Sequence, residues 1–330
     1  MKNICLYCKK TKNQNQKEKG EYECIARDTS YGKKMKKKLL AVIAATIITT
    51  MAITGCGKSG NESKETNGDS ASSATGVISV VSREDGSGTR GAFVELMGVI
   101  DEQENDITTQ TAEITNSTSV MLKTVSQNEK AIGYVSLGSL SADVKAVEID
   151  GVEATAENVK IGTYKVSRPF NICYKEEKLT DLDKDFISYI MSEEGQKIVN
   201  DEGYISLKAE GKYTGSGKKG KITLAGSTSV APLMDKIKDA YAKINPDVTI
   251  EIQESGSSAG IQAATEGAAQ IGMSSRELKD EELSAGLTSK QIAMDGIAVI
   301  INDNNPLTGL TSEQVKNIYT GEITNWDEVK

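Results

Sequence analysis

Ile78-Ser79-Val80-Val81-Ser82-Arg83-Glu84-Asp85-Gly86-Ser87-Gly88-Thr89-Arg90 carries the pattern on which this 330-residue chain is read. The apolar positions predict a strand, the glycines and small hydroxyls a tight turn, and Phe93, Leu96 and Met97 a helix over Arg90–Met97. A strand, a glycine turn and a helix start leave backbone N–H groups and hydroxyls around one point, where the helix dipole favours an anion. Two more turns repeat the arrangement. Ile222-Thr223-Leu224 precedes Gly226-Ser227-Thr228-Ser229, and Val248-Thr249-Ile250-Glu251-Ile252 precedes Gly256-Ser257-Ser258-Ala259-Gly260. Any one of them reads equally well as an ordinary strand-to-helix turn with a Ser/Thr cap. Three on one chain suggest a pocket that grips an oxyanion from several sides.

Outward from these turns the pattern is mixed α/β. Ser117 or Thr118 can cap a helix carrying Met121, Leu122 and Val125, and Ala131–Val135 reads as a buried strand. Leu182, Phe186, Ile190 and Met191 mark one longer helix through about Val199. Val230 to Ile244 keeps a helical spacing until Asn245-Pro246 ends it, Asp295–Asn302 is a nearly continuous apolar strand, and Thr311-Ser312-Glu313-Gln314 is a capping box. Alternation of strands and helices implies a mostly parallel sheet with covered faces.

The N-terminal stretch is excluded from the fold. Lys33-Lys34-Met35-Lys36-Lys37-Lys38 is a basic region, Leu39 to Ile53 is apolar, and Ile53-Thr54-Gly55-Cys56 reads as a lipoprotein cleavage box with Cys56 lipidated. The apolar run of about 15 residues is short of the roughly 20 that span a bilayer. The signal is complete from Met35 onward, which makes Met35 the expected start. Residues 1–55 are thus an extension with a signal peptide, and residues 56–76 a polar tether. A second glycine-rich stretch, Lys208–Gly220, reads as an internal linker.

Charge and composition narrow the function. Residues 1–55 hold 12 Lys+Arg and 4 Asp+Glu, so the remainder carries 27 basic and 43 acidic residues, net −16. Such a surface offers no basic footprint for nucleic acid, and bulk charge cannot recruit a small anion. Capture must come from local dipoles and one or two buried cations. The chain has no histidine, which excludes Ser-His-Asp and Cys-His nucleophile pairs and removes the commonest zinc ligand. Serine-lysine chemistry has no lysine at a recognisable spacing. Of five cysteines, Cys5, Cys8 and Cys24 precede the signal, Cys56 is the lipidation site, and Cys173 is left alone as a buried strand residue. No enzyme, metal or cofactor is expected.

Taken as a set, the motifs resemble a known family. Ser82–Arg90 with Ala131-Ile132-Gly133-Tyr134-Val135 resembles the second half of PstS-type phosphate-binding proteins of ABC transporters. Leu224–Ser229, Gly256-Ser257-Ser258, Ile271-Gly272-Met273-Ser274-Ser275-Arg276 and Gly321-Glu322-Ile323-Thr324-Asn325-Trp326 resemble the first half. The resemblance covers about residues 77–330, in reversed order. It implies a type II periplasmic-binding-protein-like fold, α/β and two-lobed, circularly permuted, with residues 208–220 joining what are ordinarily the chain ends. The other reading is a fusion of two half-proteins from separate copies. One lobe would take residues 77–166 plus 303–330 and the other 167–302, with crossings near Val166-Ser167 and Asn302-Asp303.

The roles follow from the resemblance. Arg83 is expected to be the cationic donor, held by Asp85. Ser87, Gly88 and Thr89 would donate from one lobe, and Thr228, Ser229, Ser257 and Ser275 from the other. Arg90 and Arg276 either touch the ligand, stay solvated or brace the lobes, and Asn116 and Ser117 are weaker candidates. Some relatives carry an aspartate where this chain has Ser275, which accepts a hydrogen bond but has no charge to repel sulfate. The implied function is capture of inorganic phosphate in an interlobe cleft and delivery to an ABC permease and ATPase. The protein would be held on the extracytoplasmic face of the cell membrane by the lipid on Cys56. The alternative is a sensor or scavenger without transport.

Overall fold

The computed structural model describes residues 74–329. The expected signal peptide, the Cys56 lipidation site and all but the last residues of the tether lie outside them.

In chain order the elements begin with β1 (Ser79–Arg83), α1 (Gly88–Met97), β2 (Glu113–Thr115), α2 (Thr118–Ser126), β3 (Ala131–Ser136), β4 (Val144–Ala146), β5 (Glu148–Ile149) and α3 (Ala156–Lys160). There follow β6 (Ser167–Tyr174), α4 (Asp181–Ile190), α5 (Glu193–Asp201), β7 (Gly220–Gly226), α6 (Ala231–Ile244), β8 (Val248–Glu254), α7 (Ser257–Glu266) and β9 (Ile271–Ser274). The chain finishes with α8 (Asp280–Ser284), β10 (Thr288–Asn302), β11 (Gly309–Leu310) and α9 (Ser312–Thr320).

Beside a small cluster of Cys173, Ile261, Ala264, Leu278 and Leu287, two large apolar cores form among the described residues. One gathers Val81, Phe93, Ile132, Tyr134 and Tyr319. The other gathers Phe170, Phe186, Leu224, Ile237 and Tyr241. The strand order is β2-β1-β3-β10-β6-β9-β7-β8, with β4 also on β10. β10 joins the halves. Its first part, Thr288–Gly296, pairs with β6, and Ile297–Ile301 pairs with β3.

The sheet is mixed rather than mostly parallel. β1 lies parallel to β2 and β3, and β7 to β8 and β9, as strand–helix–strand units require. β10 runs antiparallel to β3, β4 and β6, and β6 antiparallel to β9, because these strands carry the chain between the cores. The second crossing also differs from the expected Asn302-Asp303. Ile297–Ile301 are fully buried in the first core, so β10 changes partner at Gly296–Ile297. An unbroken apolar strand hides the change, since both partners bury both of its faces.

The expected single helix to Val199 is two helices. Ser192 ends α4 and caps α5, its hydroxyl accepting from Gly195 N–H, while Glu193 N–H leaves the helical ladder to donate to Gly211 O. That second contact belongs to the Lys208–Gly220 stretch, which has no strand or helix before Gly220 but is pinned to the protein. Glu210 N–H donates to Met191 O, and the Tyr213 hydroxyl donates to Asp185 Oδ2 at 2.6 Å and accepts from Asn245 Nδ2 at 2.9 Å. The two ends of the described chain meet as well. Ile78 N–H donates to Thr324 O, and Trp326 N–H to Gly76 O.

Candidate functional site

The helix starts dictated by the hydroxyl-rich turns converge between the two cores. Ser87 caps α1, accepting from Arg90 N–H at 3.3 Å, and Ser117 caps α2, accepting from Val120 N–H. Ser227–Ser229 lead into α6, and Gly256 stands before Ser257 at the start of α7. Each helix leaves its first N–H groups without an acceptor in its own ladder and presents a partial positive charge there. Two of the four starts come from each half.

Contacts across the gap are direct. Arg83, only 2% exposed at the end of β1, donates from Nη2 to Thr228 Oγ1 at 3.0 Å. The hydroxyls of Thr89 and Ser229 lie 2.8 Å apart. Within the second half, Ser275 N–H donates to Ser257 Oγ at 3.1 Å, and the Ser227 hydroxyl donates to Ser275 Oγ at 2.9 Å. Gly88 fits because it lacks a side chain: a Cβ there would stand 2.4 Å from Ser257 Oγ and 2.7 Å from Ser275 Oγ. Ser258 N–H donates to Gly86 O at 3.1 Å, closing the rim. The structure therefore brings Arg83, Ser87, Gly88, Thr89, Thr228, Ser229, Ser257 and Ser275 to one buried place.

The support for Arg83 differs from the expected one. Asp85 is 97% exposed in its side chain and pairs with Arg90 Nη1 at 2.7 Å. Glu84 takes the role instead, accepting from Arg83 Nε and Nη2 at 2.8 Å each. The turn explains the exchange. Gly86 and Asp85 bulge outward to let Ser87 N–H reach Glu84 O, and the glutamate's longer stem folds back to the guanidinium. Arg90 and Arg276 each bind carboxylates and oxygens of their own half rather than spanning the two. Arg90 spans Asp85, Asp106 and the Arg83 carbonyl, and Arg276 makes a fork on Glu282 and reaches Ser258 Oγ at 3.1 Å. Asn116 is exposed, and the Ser117 side chain is spent on its cap.

Three participants were not foreseen. Thr118 Oγ1 lies 3.2 Å from Thr228 Oγ1 and 3.3 Å from Ser229 Oγ. Ser227 joins through Ser275, and Glu84 through Arg83. A signal for Thr118 existed: Thr115-Asn116-Ser117-Thr118-Ser119 is a fourth strand-to-helix turn rich in hydroxyls, hidden by the shortness of β2. Behind Arg83, Tyr134 sets the end of β1: its hydroxyl shares a hydrogen bond with Ser82 Oγ at 2.9 Å and accepts from Arg83 N–H at 3.2 Å. Burial pushes this phenol up to about 12, outweighing the hydrogen bonds that lower it, so it stays protonated. Chemically the arrangement is a cluster of donors around one guanidinium. Its nearest carboxylate, Glu84, is already engaged by that guanidinium.

Known proteins share this chain's sequence and fold. A family model described as a PBP superfamily domain matches residues 27–194 and 211–330. The phosphate-binding protein PstS 2 of Streptococcus agalactiae serotype V is 48% identical over 299 residues, covering 89% of this chain and 99% of that protein. A crystal structure of a phosphate ABC transporter's phosphate-binding protein from Streptococcus pneumoniae TIGR4 is 47% identical. It matches 77% of this chain and 100% of that one, with a TM-score of 0.63. The phosphate-binding protein PstS of Bacillus subtilis is 33% identical over 126 residues, only 38% of this chain and 40% of that protein. The chain belongs to the PBP superfamily and, within it, to the PstS-type phosphate-binding proteins.

Proposed function

We propose that this protein captures inorganic phosphate between its two halves and delivers it, unaltered, to an ABC importer. The observation that carries this reading is the convergence of Arg83, four helix starts and hydroxyls from both halves on one buried point. A planar guanidinium suits a tetrahedral oxyanion and keeps its charge, and donors in a dry cleft act more strongly than in water. The names of the S. agalactiae and S. pneumoniae relatives support phosphate as the anion and an ABC importer as the destination. Arg83, Ser87, Gly88, Thr89, Thr228, Ser229, Ser257 and Ser275 are the proposed ligand shell, with Thr118 and Ser227 added and Glu84 in place of Asp85 as the support. Ser275 gives the shell a neutral group able to donate or accept, so sulfate is expected to be rejected less strictly than by a site with a free carboxylate. Lipidation of Cys56 would hold the protein at the membrane beside its transporter.

We also infer a permuted chain order. The described ends pair with each other at Val77 and Asn325, which is compatible with a cut between them, and the Lys208–Gly220 strap bridges two elements of the second core. A co-linear match to well under half of the B. subtilis protein is what a reordered relative leaves.

Calorimetric titration of the full chain with phosphate, sulfate, arsenate and molybdate tests the capture reading. Phosphate is expected to bind stoichiometrically without hydrolysis of any bond. Arg83→Ala should lose about 2–5 kcal/mol, the scale of a truncated buried charge contact. An unchanged isotherm in that variant would exclude the proposed site.

A further inference from the structure

A second buried charge cluster lies where the two cores meet, on the strands that cross between them. Arg168 in β6 and Asp295 in β10 are register partners, 3% and 1% exposed, and Arg168 Nη2 donates to Asp295 Oδ2 at 3.2 Å. The first core contributes Ser136 at the end of β3, whose hydroxyl donates to Asp295 Oδ1 at 2.9 Å, and the backbone N–H of Gly138, which also serves the carboxylate. The second core contributes Tyr204, packed so closely on Gly138 that a Cβ there would fall 2.3 Å from the ring's Cζ. One carboxylate is thus held from both sides of the seam.

The cluster is incompletely satisfied. Arg168 Nε and Nη1 are buried with no hydrogen-bond partner among the described residues. Buried charged N–H groups without an acceptor are costly. A rotation that parted Gly138 from Tyr204 would admit water to them and to Asp295.

We propose that Arg168 and Asp295 are positioning residues for phosphate capture, coupling closure of the two halves to uptake of a proton by Asp295. The inference rests on the capture reading above. In the closed arrangement burial pushes the Asp295 carboxyl up to about 6, against the pull of Arg168 and Ser136. The other titratable groups facing it hold their charge state. Tyr204 and Tyr164 are pushed upward by burial and by the Asp295 charge, and remain neutral phenols. Arg168 is lowered by burial, partly restored by Asp295 and lowered again by Arg83, and remains a guanidinium. The closed form binds the proton more tightly than a hydrated open form. Closure is therefore favoured as pH falls through 6, and the gain is lost as pH rises through it.

Calorimetry with inorganic phosphate on the full chain, at about pH 8 and about pH 5.5, tests this beside Asp295→Asn and Ser136→Ala. Phosphate's own ionisation is common to all three proteins and cancels in the comparison. The wild-type affinity is expected to gain about fourfold relative to Asp295→Asn between the two conditions. Ser136→Ala removes a donor from the carboxylate and should move the step to higher pH, a shift that a merely structural role would not produce. Parallel profiles in wild type and Asp295→Asn, or an unmoved step in Ser136→Ala, would overturn the coupling. If Asp295→Asn fails to fold, Ser136→Ala decides alone. Absence of phosphate binding by the wild type at both pH values would defeat the capture reading and this inference with it.

Discussion

Gly88 shows how one residue decides whether the halves can meet. Its missing side chain makes room for Ser257 and Ser275, so Gly88→Ala is expected to block closure and weaken phosphate binding at least tenfold while leaving each core folded. Calorimetry and a urea melt separate the two effects; a melt shifted as far as the affinity would contradict the account. Thr118→Val keeps the shape but removes the hydroxyl shared with Thr228 and Ser229, for an expected loss of about 1–2 kcal/mol in binding. Asp85→Asn, by contrast, should leave phosphate affinity within about twofold, because its carboxylate is exposed and serves Arg90. At this scale the sequence was legible in kind but not in pairing. Small hydroxyls beside glycines announced the site, yet nothing local distinguishes Glu84 from Asp85 as the partner of Arg83. Turn geometry makes that choice.

The elements were legible where a cap or a breaker marks them. Ser87, Ser117 and Thr311 stand at helix starts because a side-chain oxygen there meets an otherwise orphaned N–H. The break between α4 and α5 was not legible, since apolar spacing runs through it and the competing contact, Glu193 N–H to Gly211 O, comes from a distant strap. The strap's anchor gives an element-scale prediction. Tyr213→Phe leaves Asn245 Nδ2 without its acceptor and Asp185 with the Tyr241 hydroxyl in place of two phenols, and should cost about 1 kcal/mol or more in a denaturant titration. Proteolysis within residues 208–219 should quicken in the same variant. A stability and cleavage rate equal to wild type would show that the strap is held by something other than this hydroxyl.

For the whole molecule, the sequence revealed which parts belong together more readily than how β10 divides them. Its apolar residues satisfy both cores, and only the register with β6 and then β3 shows where one ends. The inferred reordering is also testable at this scale. A chain opened between Ser216 and Gly217, with its present ends joined near Val77 and Asn325, should fold and bind phosphate within about tenfold of the parent, since the site needs convergence and not chain order. Failure of that variant to fold would argue that the strap is more than a connection.

The most direct test of the account is anomalous diffraction from crystals grown with arsenate, a tetrahedral relative of phosphate whose arsenic is located independently of the protein. The account predicts a single strong peak within hydrogen-bond reach of the Arg83 guanidinium, the Thr228 and Ser257 hydroxyls and the first N–H groups of α1. Arsenic bound elsewhere, with Arg83 still turned to Glu84 and Thr228 alone, would contradict it.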